Sequence, residues 1–167
     1  MIVDTHVHIW DLEKAEYPWL EGDTSSLNKT WKIEQLEAER KEAGVTAGVL
    51  VQAASNLEDT ENMLQAAEST DWIKGVVAWL PLKATSASQK ILEDKYLRNN
   101  YIKGIRHQIH DEKDPKWLLQ SSVIDSLKIL AEHDIPFDLV AVLPAHIETV
   151  LEVSQKVPGL RMVFDHL

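Results

Sequence analysis

The sequence predicts an α/β protein of (β/α)8 TIM-barrel type, C-terminally incomplete, with about six strands and five helices in one domain over residues 1–167. Three observations predict it. Short runs rich in Val, Ile and Leu alternate with segments whose apolar residues recur near a 3.6-residue period, the pattern of βαβ units around a parallel sheet. The spacing of these runs is near-regular, as in a barrel of roughly 250 residues. No glycine-rich, phosphate-cradling turn follows the first run, which weakens the competing architecture, a complete six-stranded doubly wound sheet, in its nucleotide-binding form.

The strand-like runs are Met1–His8, Val45–Ala53, Ile73–Leu80, Ile102–Arg106, Pro136–Val142 and Leu160–Phe164, each short enough for a buried parallel strand. Ile33, Leu36 and Ala43 mark the first helix, with Gly44 as its stop. Leu57, Met63, Leu64 and Ala67 mark the second, Ile91, Leu92 and Tyr96 the third, and Ile124, Leu127, Leu130 and Ala131 the fourth. In the fifth, Ile147, Val150, Leu151 and Ser154 keep the period. Pro144 suits its first turn, where a missing N–H leaves no intrahelical bond unmade. The chain stops at FDHL, inside or just past the sixth run, and a domain seldom ends on a central strand with no helix to cover it. A whole barrel is expected to carry two further βα units.

Composition narrows the function. Lys and Arg number 17 against 27 Asp and Glu, a net charge of -10 spread along the chain. Nucleic-acid binding leaves a basic footprint, so that partner is not expected. No apolar run approaches the roughly 18 residues that span a bilayer. The N-terminus carries Asp4, His6 and His8 where a signal peptide is apolar, so no membrane partner and a cytoplasmic location are expected. Zero cysteines excludes disulfides, thiolate zinc sites and a cysteine nucleophile. A small-molecule substrate remains as the expected partner. Self-association is expected if the barrel is truncated, because its sixth-strand edge and apolar helix faces would then be open.

The residues that carry chemistry sit at strand ends. Successive strand side chains alternate, so Ile2, Asp4, His6 and His8 share one face and Val3, Thr5 and Val7 the other. Val3 and Val7 fit a helix layer, which aims His6 and His8 inward near the C-terminal end of the strand, where barrel active sites lie. Two adjacent buried imidazoles point to metal binding or proton transfer. Gln52 closes GVLVQAA, Arg106 closes KGIRHQ, Asp138 lies in PFDLVAV, and Asp165 and His166 close MVFDH. Arg106 at a barrel mouth either binds a substrate oxygen or pairs with a neighbouring acid. Gln52 is read equally as a substrate-facing or a core amide. His133 and His146 read as helix-surface residues, and His107 and His110 stay open. From Trp10 to Trp31 the connection runs about twenty residues, far beyond the usual βα loop. Its Trp10, Tyr17, Trp19 and Trp31 argue for order, either over a pocket, with Trp19 against a sugar ring, or as a small satellite core.

DTHVHIWD, the following YPWL, then WIKGVVAWLPL, KGIRHQ and FDHL occur in this order along the chain. Together they resemble the lactonase branch of the amidohydrolase superfamily, the group similar to fuconolactonases, rhamnonolactonases and 2-pyrone-4,6-dicarboxylate lactonase. The resemblance implies a cytosolic barrel hydrolase that opens the ring ester of a sugar acid or related compound with activated water. It carries His6, His8 and His166 over as catalytic residues, and Arg106, with Gln52 and Trp19, as substrate-binding ones. His6 and His8 would be the metal ligands if a divalent ion such as zinc is bound; the branch also includes members that need none. The general base is expected on an eighth strand, so the 167-residue chain is expected to be inactive alone. Asp138 stands where metal-bound relatives place a histidine, and Arg106 where a bridging lysine could stand. Competing functions are a metal-dependent deaminase, decarboxylase or phosphoesterase of related barrel type, a doubly wound ligand-binding module, and an inactive self-associating fragment.

Overall fold

The computed structural model describes residues 1–166; Leu167, the last residue of the FDHL motif, lies outside them. Contacts divide the chain into two compact units, Met1–Trp79 and the remainder from Leu80. The first holds β1 (Ile2–Val7), α1 (Glu37–Glu42), β2 (Val45–Val51), α2 (Leu57–Ser69) and β3 (Ile73–Ala78). The second holds α3 (Thr85–Asp94), β4 (Ile102–His107), α4 (Ser121–Glu132), β5 (Phe137–Leu139), α5 (Pro144–Lys156) and β6 (Met162–Phe164). Strand and helix alternate throughout, as the periodicities predict. In the first unit β1 pairs with β2 and β2 with β3, both in parallel. In the second β4 pairs with β5 and β5 with β6, again in parallel. Among the described residues no helix is long and apolar enough to cross a membrane.

Differences from the expected boundaries have local causes. β2 stops at Val51 because the Ala53 and Ala54 N–H groups turn to the Asp59 carboxylate, at 2.9 and 3.2 Å. β3 stops at Ala78 because Trp79 N–H donates to Thr60 Oγ1 at 3.1 Å. The first helix begins as a 3-10 turn, Ile33–Leu36, before α1, and it ends at Gly44 as expected, with φ +71°. Val7 is buried, but Val3 is 43 % exposed, because the six-residue α1 buries none of its side chains and provides no helix layer there.

The reading of His146 as a surface residue is wrong. It lies in the first turn of α5 at 1 % exposure, and its Nδ1 accepts from the N–H groups of Val142 and Leu143, both at 3.2 Å. Those N–H groups cap the helix entrance and so leave the β5 ladder, which ends at Leu139 rather than Val142. Burial, and then the nearby His110, lower the pKa of His146 and keep it the acceptor that this cap needs. His133, just past α4, is exposed as expected.

Each unit has its own apolar interior. Leu50, Met63, Ala67 and Val76 are fully buried in the first, and Ile105, Leu127, Phe137, Leu139 and Val153 in the second. Gly48 on β2 leaves room for the Trp72 ring, since a Cβ there would lie 2.5 Å from the indole. Gly48→Ala is therefore expected to cost about 1–3 kcal/mol by overpacking; comparing urea midpoints of the two proteins measures it.

The long connection after β1 is ordered by its aromatics. Trp10 and Trp31 form a two-way antiparallel backbone bridge, at 3.0 and 2.8 Å. Trp10, Tyr17 and Leu20 pack on Ala53 and Ala54 just past β2, with Ala15 and Trp31 alongside. A satellite core thus forms, while Trp19 stays 39 % exposed, edge-to-face with Trp10 at 5.2 Å.

Candidate active site

In the first unit the structure brings His6 and His8 together at the C-terminal end of β1. Their Nε2 atoms are 3.0 Å apart and the rings meet edge to face. The shared face read from strand alternation is correct. His8 Nδ1 lies 2.8 Å from the Val51 carbonyl oxygen at the end of β2. A carbonyl can only accept, so the His8 proton is on Nδ1 and, in the neutral ring, Nε2 carries a lone pair. With both rings neutral, His6 Nε2–H donates to it. Gln52, the next residue along, is fully buried, and its amide nitrogen donates to Ser55 Oγ at 3.3 Å. Trp19 donates from Nε1 to the Ala53 carbonyl at 2.9 Å, which places its indole at the same end of β2.

The chemistry of the two side chains fits a divalent ion, since neutral imidazole is a common zinc ligand. The two Nε2 atoms lie 3.0 Å apart, and the second nitrogen of His8 is tied to a backbone carbonyl, the arrangement that orients an imidazole ligand. Ligation by His6 needs only a move of its proton to Nδ1.

In the second unit the functional side chains also stand at strand ends. Arg106 on β4 is opposite Asp138 on β5 in the parallel register. Arg106 Nε lies 2.8 Å from Asp165 Oδ2, with side chains 5 % and 3 % exposed. Of the two roles open to Arg106, the ion pair is formed. Burial, then the charge of Asp165 and a hydrogen bond to it, push the Asp138 carboxyl up to about 7, against a smaller lowering by Arg106. Asp138 thus holds its proton well above the usual carboxylate range, as one member of an acid pair with Asp165. His166 follows as an exposed residue two positions past β6.

Sequence reasoning left His107 open. Its ring stacks on Trp117 at 4.1 Å with 8° between planes, and its Nε2 meets Glu112 at 2.8 Å. Burial lowers its pKa despite Glu112, so a neutral ring donates to the carboxylate and pins the segment after β4. Two acids were not singled out for their roles. From the sequence Asp165 reads only as a strand-end polar residue, although an arginine inside a chain of net charge -10 points to some acid beside it. Asp59 left no signal beyond its place in the first turn of α2, where acidic residues are common.

The chain is 29 % identical over 164 residues to an L-fucono-1,5-lactonase of Burkholderia ambifaria, covering 98 % of this chain and 56 % of the relative. It is 29 % identical over 112 residues to an L-fucono-1,5-lactonase of Burkholderia multivorans, covering 67 % of this chain and 37 % of that protein. The chain spans about half the length of the curated relatives it matches. Among solved structures it superposes on a zinc-bound amidohydrolase of Burkholderia multivorans with TM-score 0.85 at 24 % identity, covering 99 % of this chain and 57 % of that one. A probable 2-pyrone-4,6-dicarboxylic acid hydrolase of Acinetobacter baumannii, solved with citric acid, gives TM-score 0.74 at 20 % identity, with 99 % and 58 % covered. These superpositions show the expected fold class, α/β of the TIM-barrel type, of which the chain spans only part. A family model described as amidohydrolase matches residues 3–167, and the chain belongs to the amidohydrolase family.

Proposed function

We propose that this chain serves a hydrolase that opens the ring of a sugar-acid lactone, and that His6, His8, Arg106 and His166 act in the reaction. The observation that carries this reading is the His6–His8 pair, two imidazoles 3.0 Å apart with the outer one fixed by a carbonyl. Identity to L-fucono-1,5-lactonases over nearly the whole chain supports the substrate class. Water adds to the lactone carbonyl, the ring C–O bond breaks, and the ring oxygen leaves as a hydroxyl once it takes a proton, so the product is a hydroxy acid. Pre-oriented donors at the carbonyl stabilise the charge that develops on its oxygen. In this reading His166 and the terminal nitrogens of Arg106 supply such donors, while Asp165 holds the guanidinium through Nε. His6 and His8 are the residues that would hold a zinc ion, which when bound supplies Lewis-acid polarisation and a more acidic water. Gln52 and Trp19 shape the substrate end of β2.

No residue of this chain is carried over as the water-activating base, so the assay uses the protein purified from its source, beside the 167-residue chain. The expected result is hydrolysis of at least one member of an aldonolactone panel that includes L-fucono-1,5-lactone. His8→Asn is expected to lower kcat/KM by about 100-fold or more. A native protein that hydrolyses none of the panel above the uncatalysed rate overturns the proposal.

A further inference from the structure

The connection after β1 is tied to the β2–α2 turn by side chains that neither the ion pair nor the imidazole pair uses. Tyr17 is 6 % exposed, and its hydroxyl donates to Asp59 Oδ1 at 2.9 Å while accepting from Asp11 N–H at 3.3 Å. Asp59 is fully buried, and its other oxygen takes the Ala53 and Ala54 N–H groups. The carbonyl of that same Ala53 receives the Trp19 indole N–H. Asn56 closes the circuit, accepting from Asp59 N–H at 2.8 Å and donating to the Glu16 carbonyl at 2.8 Å. Three neighbouring residues of the connection, Glu16, Tyr17 and Trp19, thus end on one short turn. That turn continues from Val51, whose carbonyl orients His8.

A buried carboxylate with this many donors is a rigid fixture, since each bond to a charged acceptor is stronger than a neutral one. Burial, and then the charge of Asp59, raise the Tyr17 pKa, so the phenol stays protonated and donating. Packing alone does not call for such an anchor: Trp10, Leu20 and Ala54 already bury one another. What the anchor adds is the placement of Trp19, whose indole remains 39 % exposed although its N–H is fixed. An aromatic face held open at a substrate-binding strand end suits the apolar C–H face of a saturated sugar ring.

We propose that Tyr17 and Asp59 are positioning residues which, through Ala53, hold the Trp19 indole as a fixed wall for the C–H face of a sugar lactone. This rests on the lactonase reading for its substrate but not for its geometry. The test uses the native protein with Tyr17→Phe, Asp59→Asn, Trp19→Phe and the Tyr17→Phe/Trp19→Phe double variant, each first checked for an unchanged far-ultraviolet circular dichroism spectrum. Tyr17→Phe keeps the ring and removes only the hydroxyl, so it serves if Asp59→Asn does not fold.

Two readouts decide. With L-fucono-1,5-lactone, Tyr17→Phe is expected to raise KM about tenfold with kcat within about twofold, the mark of lost binding rather than lost chemistry. In the Trp19→Phe background the same change is expected to raise KM no further, because residues acting through one another do not add. An unchanged KM, or effects that add, overturns the proposal. The second readout needs no activity: the acrylamide quenching constant of the Trp19 emission, taken by difference from Trp19→Phe, is expected to rise about twofold in Tyr17→Phe as the indole is released. If no lactone is hydrolysed and quenching rises, the lactonase reading fails and the anchor stands; if quenching is unchanged, the anchor fails whatever the activity.

Discussion

Arg106→Met is expected to lower the unfolding free energy by about 3–5 kcal/mol at pH 8, the usual cost of stranding one member of a buried ion pair. Arg106 and Asp165 are 5 % and 3 % exposed and meet at 2.8 Å, so removal of the guanidinium leaves a carboxylate that water reaches poorly. Desolvation then dominates, and the missing attraction of the pair is the smaller part of the loss. Two further variants separate these contributions. Arg106→Met/Asp165→Leu removes both charges and is expected to recover most of the stability, since apolar replacement of a whole buried pair is often near neutral. Arg106→Lys keeps a charge but has no nitrogen at the Nε position, and is expected to recover only part. Urea unfolding of the four proteins measures all of this. A loss below about 1 kcal/mol for Arg106→Met would class the pair with solvated surface bridges, and the guanidinium would then be too loosely held to present donors to a carbonyl.

Much of this arrangement was legible in the sequence, and what was not has a common physical cause. Alternation along a strand is a local rule, so the shared side of His6 and His8 follows from their spacing, while the 3.0 Å Nε2 contact depends on ring rotation that spacing does not set. The polar residue ending each apolar run marked Arg106, Asp138 and Asp165 in the same way. Partner choice is not local. Nothing near Arg106 in the chain named Asp165, 59 positions on, nor could the neighbours of Tyr17 name Asp59. The sequence misplaces His146 because a helix period shows which face turns inward but not which side chain folds back to cap the helix entrance. Strand ends failed for a similar reason: at Ala53 and Trp79 the next N–H found a side-chain acceptor on α2 and left the ladder.

Asp138 provides the clearest dependence on pH. Its carboxyl is pushed up from 3.8 to about 7, first by burial and then by Asp165, so the folded protein binds this proton more tightly than the unfolded chain does. For an acid raised in this way the stabilising contribution is fully present below about pH 4, where both states are protonated. It declines as pH rises from about 4 to about 7, because the unfolded chain releases the proton while the folded one still holds it. Asp138→Asn keeps an N–H to donate to the Asp165 carboxylate and has no proton to lose. The stability of Asp138→Asn minus that of the parent protein is therefore expected to be near zero at pH 4. It should grow in favour of the variant to on the order of 3 kcal/mol at pH 8. Carboxylates that do not touch Asp138 cancel in the difference, so paired urea titrations from pH 4 to 8 isolate the acid pair. A difference that stays flat across that range means Asp138 ionises as an ordinary aspartate and shares no proton with Asp165. Arg106 enters the same experiment from the other side, because its charge is what lowers the Asp138 pKa. In Arg106→Met the rise is expected to begin at the same pH, set by the unfolded chain, and to continue to higher pH; coincident curves in the two backgrounds would mean that the guanidinium does not act on the acid pair.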